Sequence, residues 1–340
     1  MLDAKTTATS EDFRSKTRLI LDEILADPSK ASARLTPDSS WHIAHPVNHL
    51  VGPDAIAEGF LKPLAAALTQ IERRDILFMG GTNRLHENGR WVAAITHYVG
   101  NFTAPLFGLK PSGSMIFLRS GEFYRLDEDG RIAEARIIFD MVDVMYQIRR
   151  MPIPSLGDEI TWPAPATQDG LCPTAPYEGD AFDVVERMTK TLGQYTPGTF
   201  HSEGQIGEGG VWTDNMLWYG PGGIGSNYRW DGFVQDHRAP FLIAFPDRKG
   251  GHHYCRFGDS HYAAMGGWPS IHATFAEDYL GLKATGGPIT MRVMDFYRID
   301  PQADGGAQGG RLAENWVFID LAELFAQCGR DLIAEANALA

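Results

Sequence analysis

The chain contains two long segments that resemble each other, and this internal repeat restricts its fold more than any other feature. The sequence GLKPSG at residues 108–113 returns as GLKATG at residues 281–286, which is 173 positions later. The tripeptide FYR at residues 123–125 returns with the same offset. After a loop insertion the offset becomes 180, so that Asp140 corresponds to Asp320. This period is too long for a solenoid unit, and it therefore predicts two copies of a whole domain.

The repeat also predicts where the domains begin and end. The first copy is assigned to residues 1–151 and the second to residues 181–340. Residues 152–180, between them, contain six prolines. Proline fixes φ and has no N–H to donate, so this segment is predicted to be an extended linker.

Composition excludes several classes of function. The chain has 340 residues, enough for two domains with a core each, and a net charge of −13. A nucleic-acid partner requires clustered Lys and Arg, so we expect none. The apolar runs are too short to span a bilayer and no apolar leader precedes Lys16, so no membrane partner is predicted. Cys172, Cys255 and Cys328 are odd in number and far apart, which favours a reducing, cytoplasmic location.

Each copy has helical patterns first and strand patterns afterwards. Apolar residues at helical spacing predict helices over residues 11–26 and 181–192. Side chains alternate with period two in the later segments, which predicts an antiparallel sheet in each copy. The predicted strands cover residues 91–99, 115–126, 132–139, 289–299 and 312–319. The fold class is therefore α+β.

Several short motifs resemble one known family. They are WYGP at residues 218–221, DYLG at residues 278–281 and ENW at residues 314–316, followed by Asp320. These motifs resemble those of the SnoaL-like polyketide cyclases, which belong to the NTF2-like superfamily. The resemblance implies a cone-shaped, cystatin-like α+β barrel in each copy, with a pocket between helices and sheet. It also implies that the two sheets pack together as an internal pseudo-dimer, and a further homodimer is left open.

The carboxylates at the end of the last predicted strand are the candidate acid/base groups. Trp316, Phe318 and Asp320 fall on one strand face, where apolar walls would raise the pKa of the carboxyl group. In the cyclases that this sequence resembles, an Asp at the matching position is the acid/base, so Asp320 and Asp140 are predicted to be catalytic. The alternative is that each Asp caps the helix that follows it. Both roles stay open at this point.

The two copies differ beside these carboxylates. Arg136 stands in the first copy where Trp316 stands in the second. Arg136 is predicted to bind substrate and to form an ion pair with Asp140, which would keep that carboxylate ionised. Asp320 is therefore the stronger candidate for an acid, and Trp316 and Phe318 are predicted to line its pocket.

Phenylalanines replace a histidine that the resembling cyclases commonly carry. The family has Gly-Thr-His before the glycine-rich turn, whereas Phe102 and Phe275 occupy the histidine position here. Both are predicted to line an apolar pocket. His97 and His272 lie nearby in the sequence and are predicted to polarise a carbonyl oxygen. The alternative for each is a histidine hydrogen-bonded at a strand end.

Three further residues are assigned to the substrate pocket, namely Trp41, His45 and Trp218. His45 and His49 have helical spacing, but Pro46 between them favours a loop, and no third ligand is evident. No metal site is therefore predicted.

The predicted function is acid/base catalysis, without a cofactor, on a small hydrophobic carbonyl compound. The alternative is a binding or carrier protein that holds an apolar small molecule and performs no chemistry. A third interpretation is that the first copy is purely structural and covers the sheet of the second.

Overall fold

Each copy of the repeat forms a group of helices and one mixed β-sheet. The computed structural model describes residues 12–303 and 308–340. The prediction that no leader precedes Lys16 concerns residues 1–11, which lie outside the described residues. No helix in the described part of the chain is long and apolar enough to cross a membrane. The predicted α+β class is confirmed.

The first copy has a six-stranded sheet. Its helical elements are α1 (Phe13–Ala26), a 3₁₀ turn (Pro28–Lys30), α2 (Ala31–Arg34), α3 (Pro53–Ile56), a π-helical turn (Ala57–Leu61), α4 (Lys62–Ala67) and α5 (Met141–Gln147). Its strands are β1 (Leu35–Ile43), β2 (His49–Val51), β3 (Leu68–Thr82), β4 (Arg90–Phe102), β5 (Met115–Leu126) and β6 (Ile132–Phe139). The strand order is β2-β1-β6-β5-β4-β3, and only the β1/β6 pair of this sheet is parallel within the described residues.

The second copy repeats this arrangement. Its helical elements are α6 (Phe182–Leu192), α7 (Arg229–Phe233), a π-helical turn (Val234–Arg238), α8 (Ala239–Ala244), α9 (Leu321–Gln327) and α10 (Leu332–Ala338). Its strands are β7 (Trp212–Tyr219), β8 (Asn227–Tyr228), β9 (Lys249–Gly250), β10 (His253–Asp259), β11 (Tyr262–Thr274), β12 (Pro288–Asp300) and β13 (Arg311–Ile319). The order β10-β11-β12-β13-β7-β8 matches the first sheet strand for strand, and short β9 pairs with β11.

Local sequence explains where several elements begin. Asp12 caps α1 by accepting a hydrogen bond from the backbone N–H of Arg14. Asp140 and Asp320 cap α5 and α9 in the same way. The predicted strands at residues 115–126 and 132–139 are confirmed at both ends, because period-two patterns bounded by turn residues specify strands well.

The two sheets pack against each other through one face of each. The ring of Phe123 on β5 lies 5.4 Å from that of Phe296 on β12, measured between centroids. On the same face, Gly121 lies directly against the ring of Phe318 on β13. This is the sheet-to-sheet packing that an internal pseudo-dimer requires. The other face of each strand is left for the helices of its own copy.

We expect Gly121→Val to lower the free energy of unfolding by about 1–3 kcal/mol, because an overpacked core is strained. A Cβ atom at Gly121 would lie 2.5 Å from Cδ2 of Phe318, whose side chain is fully buried. Urea unfolding measures the effect. In the matched Gly193→Ala variant, the added Cβ meets no atom within 4 Å, so the change should stay below about 0.5 kcal/mol. Equal stability of the two variants would contradict this packing.

The proline-rich segment at residues 152–180 crosses both copies. It contains no helix or strand of its own within the described residues. Trp162 is buried, with its ring 4.8 Å from that of Phe318 and 4.4 Å from the guanidinium carbon of Arg119. Backbone bonds tie it to the first copy at Phe78 and to the second at Ile224. The segment therefore packs as a strap over the seam between the sheets.

Candidate functional site

A cavity of about 350 Å³ lies in the second copy, between its helices and the face of its sheet that points away from the first copy. Its helical wall comes from α6, α7, the π-helical turn and α8, and its floor from β7 and β10–β13. Most of the lining is apolar, including Trp218, Phe233 and Phe241. The volume suits a small or medium-sized organic molecule.

Asp295 on β12 is the one carboxylic acid among the described residues that line this cavity. Burial raises its pKa from 3.8 to about 7, and hydrogen bonds from Asn315 and Tyr297 oppose that rise only in part. A carboxyl group with a pKa near neutrality can both accept and return a proton at physiological pH.

Tyr297 and Asn315 stand opposite each other on β12 and β13 and flank Asp295 on the cavity floor. Burial, together with the negative charge of Asp295, raises the pKa of Tyr297 well above its ordinary value. Its hydroxyl therefore stays protonated and remains a hydrogen-bond donor. Asn315 is held in place because its Nδ2 donates to the backbone oxygen of Phe296 at 3.1 Å.

A second polar group on the cavity wall is cationic. The π-helical turn places His237 and Arg238 on the wall, and Arg248 follows α8. Burial lowers the pKa of Arg238 to about 10, and repulsion by Arg248 contributes. Burial and the same two arginines lower the pKa of His237 to about 3, so its ring is neutral and stacks on Trp218 with 4.2 Å between centroids.

His253, Arg256 and Ser270 form a third polar group, on strands β10 and β11 of the floor. His253 Nδ1 accepts from Nε of Arg256 at 3.3 Å, and its Nε2 lies 3.2 Å from Oγ of Ser270. Burial and the charge of Arg256 lower the pKa of His253 to about 4. Since Nδ1 accepts, the proton of the neutral ring is on Nε2, which donates to Ser270. Arg256, Met265 and Asp295 lie in register across β10, β11 and β12.

The structure places Asp140 and Asp320 outside this cavity, so the prediction that they stand in an apolar pocket is wrong. Each is buried as the N-cap of a helix, and the alternative role is thereby confirmed. Asp140 Oδ2 accepts from Nε of Arg119 at 2.9 Å, and Asp320 Oδ2 from Nη1 of Arg292 at 3.0 Å. With their oxygens bonded in this way, these carboxylates are unsuited to the acid/base role predicted for them.

The same two carboxylates also join the copies. Asp140 Oδ2 accepts from the backbone N–H of Gly222 at 2.8 Å, and Asp320 Oδ2 accepts from that of His45 at 2.9 Å. Gly222 and His45 occupy corresponding positions beyond β7 and β1, so the contact is repeated across the pseudo-twofold relation. His45 thus contributes its backbone N–H to the interface, whereas it was predicted to contact substrate.

Trp316 and Phe318 lie on the face of β13 opposite the cavity, and Arg136 also lies outside the cavity lining. The prediction that these three residues contact substrate is therefore wrong. The cavity is lined by the odd-numbered positions Asn315, Val317 and Ile319. Trp316 stacks on Tyr219, outside the cavity lining, with 5.2 Å between centroids. Arg136 pairs with Glu134 at 2.8 Å, and the predicted ion pair with Asp140 is replaced by the one from Arg119.

Neither predicted histidine lines the cavity. His97 is buried on β4 in the first copy, its ring 6.0 Å from that of Phe117, and burial with the charge of Arg119 lowers its pKa to about 4. His272 is exposed on β11, beside Ile271, whose side chain does line the cavity. The one-residue difference places the imidazole on the wrong face of the strand.

The remaining predicted pocket residues divide between core and cavity. Phe102 is fully buried in the first copy, and Phe275 packs on Phe245 at 5.3 Å in the second. Trp41 packs on Tyr124 at 5.8 Å in the core of the first copy. Among the predicted aromatic residues, Trp218 does line the cavity.

In the first copy, the acid at the corresponding position is enclosed by side chains of that copy. Glu122, which matches Asp295 in the repeat, accepts from the hydroxyls of Tyr98 and Tyr124 at 2.7 Å each and from Nη1 of Arg73 at 2.6 Å. Arg73 also pairs with Asp75 at 2.9 Å. Glu122 is fully buried and its carboxylate oxygens accept internal hydrogen bonds, so this acid is not available to a ligand.

Asp295 was not among the predicted site residues, although the sequence contains a signal for it. The repeat aligns Glu122-Phe123-Tyr124 with Asp295-Phe296-Tyr297 at the offset of 173 residues. An acid retained in both copies, inside a strand that is otherwise mostly apolar, is an uncommon position for a charged group. Within the described residues, no three His, Cys, Asp or Glu side chains are grouped to hold a metal ion.

Comparisons with known proteins give matches to part of this chain. Residues 18–148 match the model of the SnoaL-like polyketide cyclase family, whereas no curated protein matches the chain. Similar solved structures include a proposed SnoaL-like polyketide cyclase from Jannaschia sp. CCS1, with 18% identity over 40% of this chain and 91% of that chain and a TM-score of 0.32. IdmH, a proposed polyketide cyclase from Streptomyces antibioticus, has 18% identity over 40% and 98%, with a TM-score of 0.33. An NTF2-like protein from Burkholderia thailandensis has 17% identity over 39% and 95%, with a TM-score of 0.29. The family match therefore covers residues 18–148 in the first copy, and there the chain is similar to the SnoaL-like polyketide cyclases.

Proposed function

We propose that the second copy is an acid/base enzyme that acts on a small hydrophobic carbonyl compound, with Asp295 as the proton-transferring group. The observation that carries the proposal is a single carboxyl group in an otherwise mostly apolar cavity, with a pKa raised to about 7. A carboxylate freed from water in this way is a stronger base than one on the surface.

The proposed step is removal of a proton from the carbon next to the carbonyl group. Asp295 takes the proton, and the electron pair of the C–H bond moves to the carbonyl oxygen as an enolate. The guanidinium of Arg256 lines the same floor and supplies positive charge and N–H donors for that oxygen, while the hydroxyl of Tyr297 holds Asp295 in place. Return of the proton to another carbon isomerises the substrate. Alternatively, the enolate carbon attacks a second carbonyl carbon and closes a ring, and Asp295 returns its proton to the alkoxide that forms. Neither outcome changes an oxidation state.

The first copy has a supporting role in this proposal. Its own acid, Glu122, is bonded to two tyrosines and one arginine, and its sheet covers the back of the sheet that carries Asp295. A rigid floor holds catalytic groups in place better than a loop does.

The test requires no knowledge of the natural substrate. We expect the protein to catalyse exchange of the α-hydrogens of 2-tetralone, an apolar ketone, for deuterium in D₂O, followed by ¹H NMR. The rate should rise with pH and level off, with a midpoint near 7, because only ionised Asp295 is a base. Heat-denatured protein at the same concentration gives the background rate. Binding of 2-tetralone without exchange above that background would support the carrier alternative and rule out enolisation of this ketone by the protein.

A further inference from the structure

The arginines on the cavity wall have no acidic partner. Arg238, Arg248 and Arg256 all line the cavity, and none forms an ion pair with a carboxylate within the described residues. Asp247, next to Arg248, directs its carboxylate to the backbone N–H and hydroxyl of Thr274, at 2.8 and 2.7 Å. The chain has a net charge of −13, and yet these arginines are not paired with any of its described carboxylates. Arg238 is buried and Arg248 and Arg256 are half-buried. A buried charge without a partner is costly, so Arg238 indicates that a ligand supplies the missing anion.

We propose that the cavity takes an apolar molecule that carries one anionic group, and that this group binds between Arg238 and Arg248. The substrate class is then an aromatic or alicyclic carboxylate. Under the proposed function, on which this identification of the substrate rests, the same molecule presents its ketone to Asp295 on the floor.

Arg238 is held as a fixed binding group. It is buried, its Nε donates to the backbone oxygen of Phe200 at 2.6 Å, and its Nη2 donates to Leu192 at 2.8 Å and to Ser202 at 2.6 Å. These acceptors are neutral, so they orient the guanidinium without giving it a negatively charged partner. Pre-oriented charge binds an anion at a low cost in side-chain entropy.

Arg248 lies where the cavity meets the surface. It lines the cavity and also an adjoining surface groove that contains Tyr195 and Lys249. Its guanidinium carbon lies 5.7 Å from the centre of the Tyr195 ring. Arg248 and Lys249 at this entrance attract an anionic ligand, and the apolar walls beyond the entrance accept the rest of the molecule.

His237 adds a polar atom that lacks a partner. Its Nδ1 is buried without a hydrogen-bond partner in the described part of the protein, and it lies on the wall beside Arg238. The neutral ring stacks on Trp218. A bound anion or its neighbouring polar group would satisfy this nitrogen.

Binding of 2-naphthoate and of its uncharged methyl ester tests the proposal, with Trp fluorescence or calorimetry as the readout. We expect the wild-type protein to bind 2-naphthoate at least about 10-fold more tightly than the ester, because a charge-assisted bond in an apolar site favours the anion. Arg248→Gln should remove most of this preference, and Arg248→Lys should keep part of it. Arg74→Gln, which changes an exposed arginine in the first copy, is the matched control and should leave the preference unchanged.

Each outcome decides the matter. Equal or tighter binding of the ester to the wild-type protein overturns the proposal, and so does a preference for naphthoate that survives in Arg248→Gln. Asp295→Asn should retain the preference. A preference for naphthoate in a protein that fails to exchange the α-hydrogens of 2-tetralone would therefore support the anion site and contradict the proposed enzymatic function.

Discussion

Asp295→Asn is expected to reduce the exchange of α-hydrogens on 2-tetralone by about 10²–10⁴-fold, because the variant has no group that accepts a proton. The asparagine side chain has the same size and keeps polar contact with Asn315 and Tyr297, whose hydrogen bonds act on Asp295 in the wild-type protein. Affinity for the ketone should therefore change less than about 3-fold. ¹H NMR exchange rates and a binding titration on the same samples separate the two effects. Comparable exchange by wild type and variant would remove Asp295 from the mechanism.

The stability of this variant provides an independent control. The folded-state pKa of Asp295 is raised from 3.8 to about 7, so between these values the folded state holds a proton that the unfolded state has released. Stability contributed by this group is therefore lost as pH rises through that window. Asparagine cannot ionise, so Asp295→Asn should be more stable than wild type at pH 8, by about 1–2 kcal/mol after allowing for the open cavity beside it. At pH 3 both side chains are neutral, and the difference should vanish.

Arg119→Met is expected to lower the free energy of unfolding by about 3–5 kcal/mol, because it leaves a buried carboxylate without its partner. Arg119 and Asp140 are almost fully buried and lie 2.9 Å apart, and Asp143 lies 3.4 Å from the same guanidinium. Asp140 also accepts from Gly222 in the other copy, so the change disturbs the contact between copies as well. Urea unfolding monitored by Trp fluorescence measures the effect.

Arg131→Met is the matched control for this experiment. Arg131 pairs with Asp127 at 2.9 Å, but its side chain is 42% exposed, so water already screens the pair. A loss below about 1 kcal/mol is expected there. If Arg119→Met cost no more than Arg131→Met, the buried pair would contribute nothing special to the interface, and the role assigned to Asp140 would be wrong.

The two faces of the last strand, β13, show which features could be predicted from the sequence and which could not. Period two correctly placed Trp316 and Phe318 on one side of the last strand, and it placed Val317 on the other. Both sides are apolar, because one packs on the other copy and one lines the cavity. Alternation alone cannot distinguish these two surroundings. The prediction assigned the pocket to the side of Trp316 and Phe318, which is the interface side. For that reason it selected Asp140 and Asp320 as the acid candidates.

The capping pattern was a local signal, and it was reliable for that reason. Asp320 lies three residues before Glu323, whose backbone N–H it accepts, and nothing beyond that turn is needed for the interaction. The partner of the same Asp320 across the interface is His45, 275 positions away. No spacing in the sequence encodes that contact, so the burial of Asp320 could not be read from its neighbours.

The sequence by itself determined the α+β class, the repeat and strands such as residues 115–126 and 132–139, and it offered the helix caps as one of two roles, because all of these depend on repeated or short-range patterns. Only the tertiary structure decided which sheet face became an interface, which became a cavity, and which acid was left to react. Packing in the first copy surrounds Glu122 with donors, whereas the second leaves Asp295 beside open space. The chemistry of a carboxyl group depends on those surroundings, and they are assembled from strands and helices that are distant in the chain.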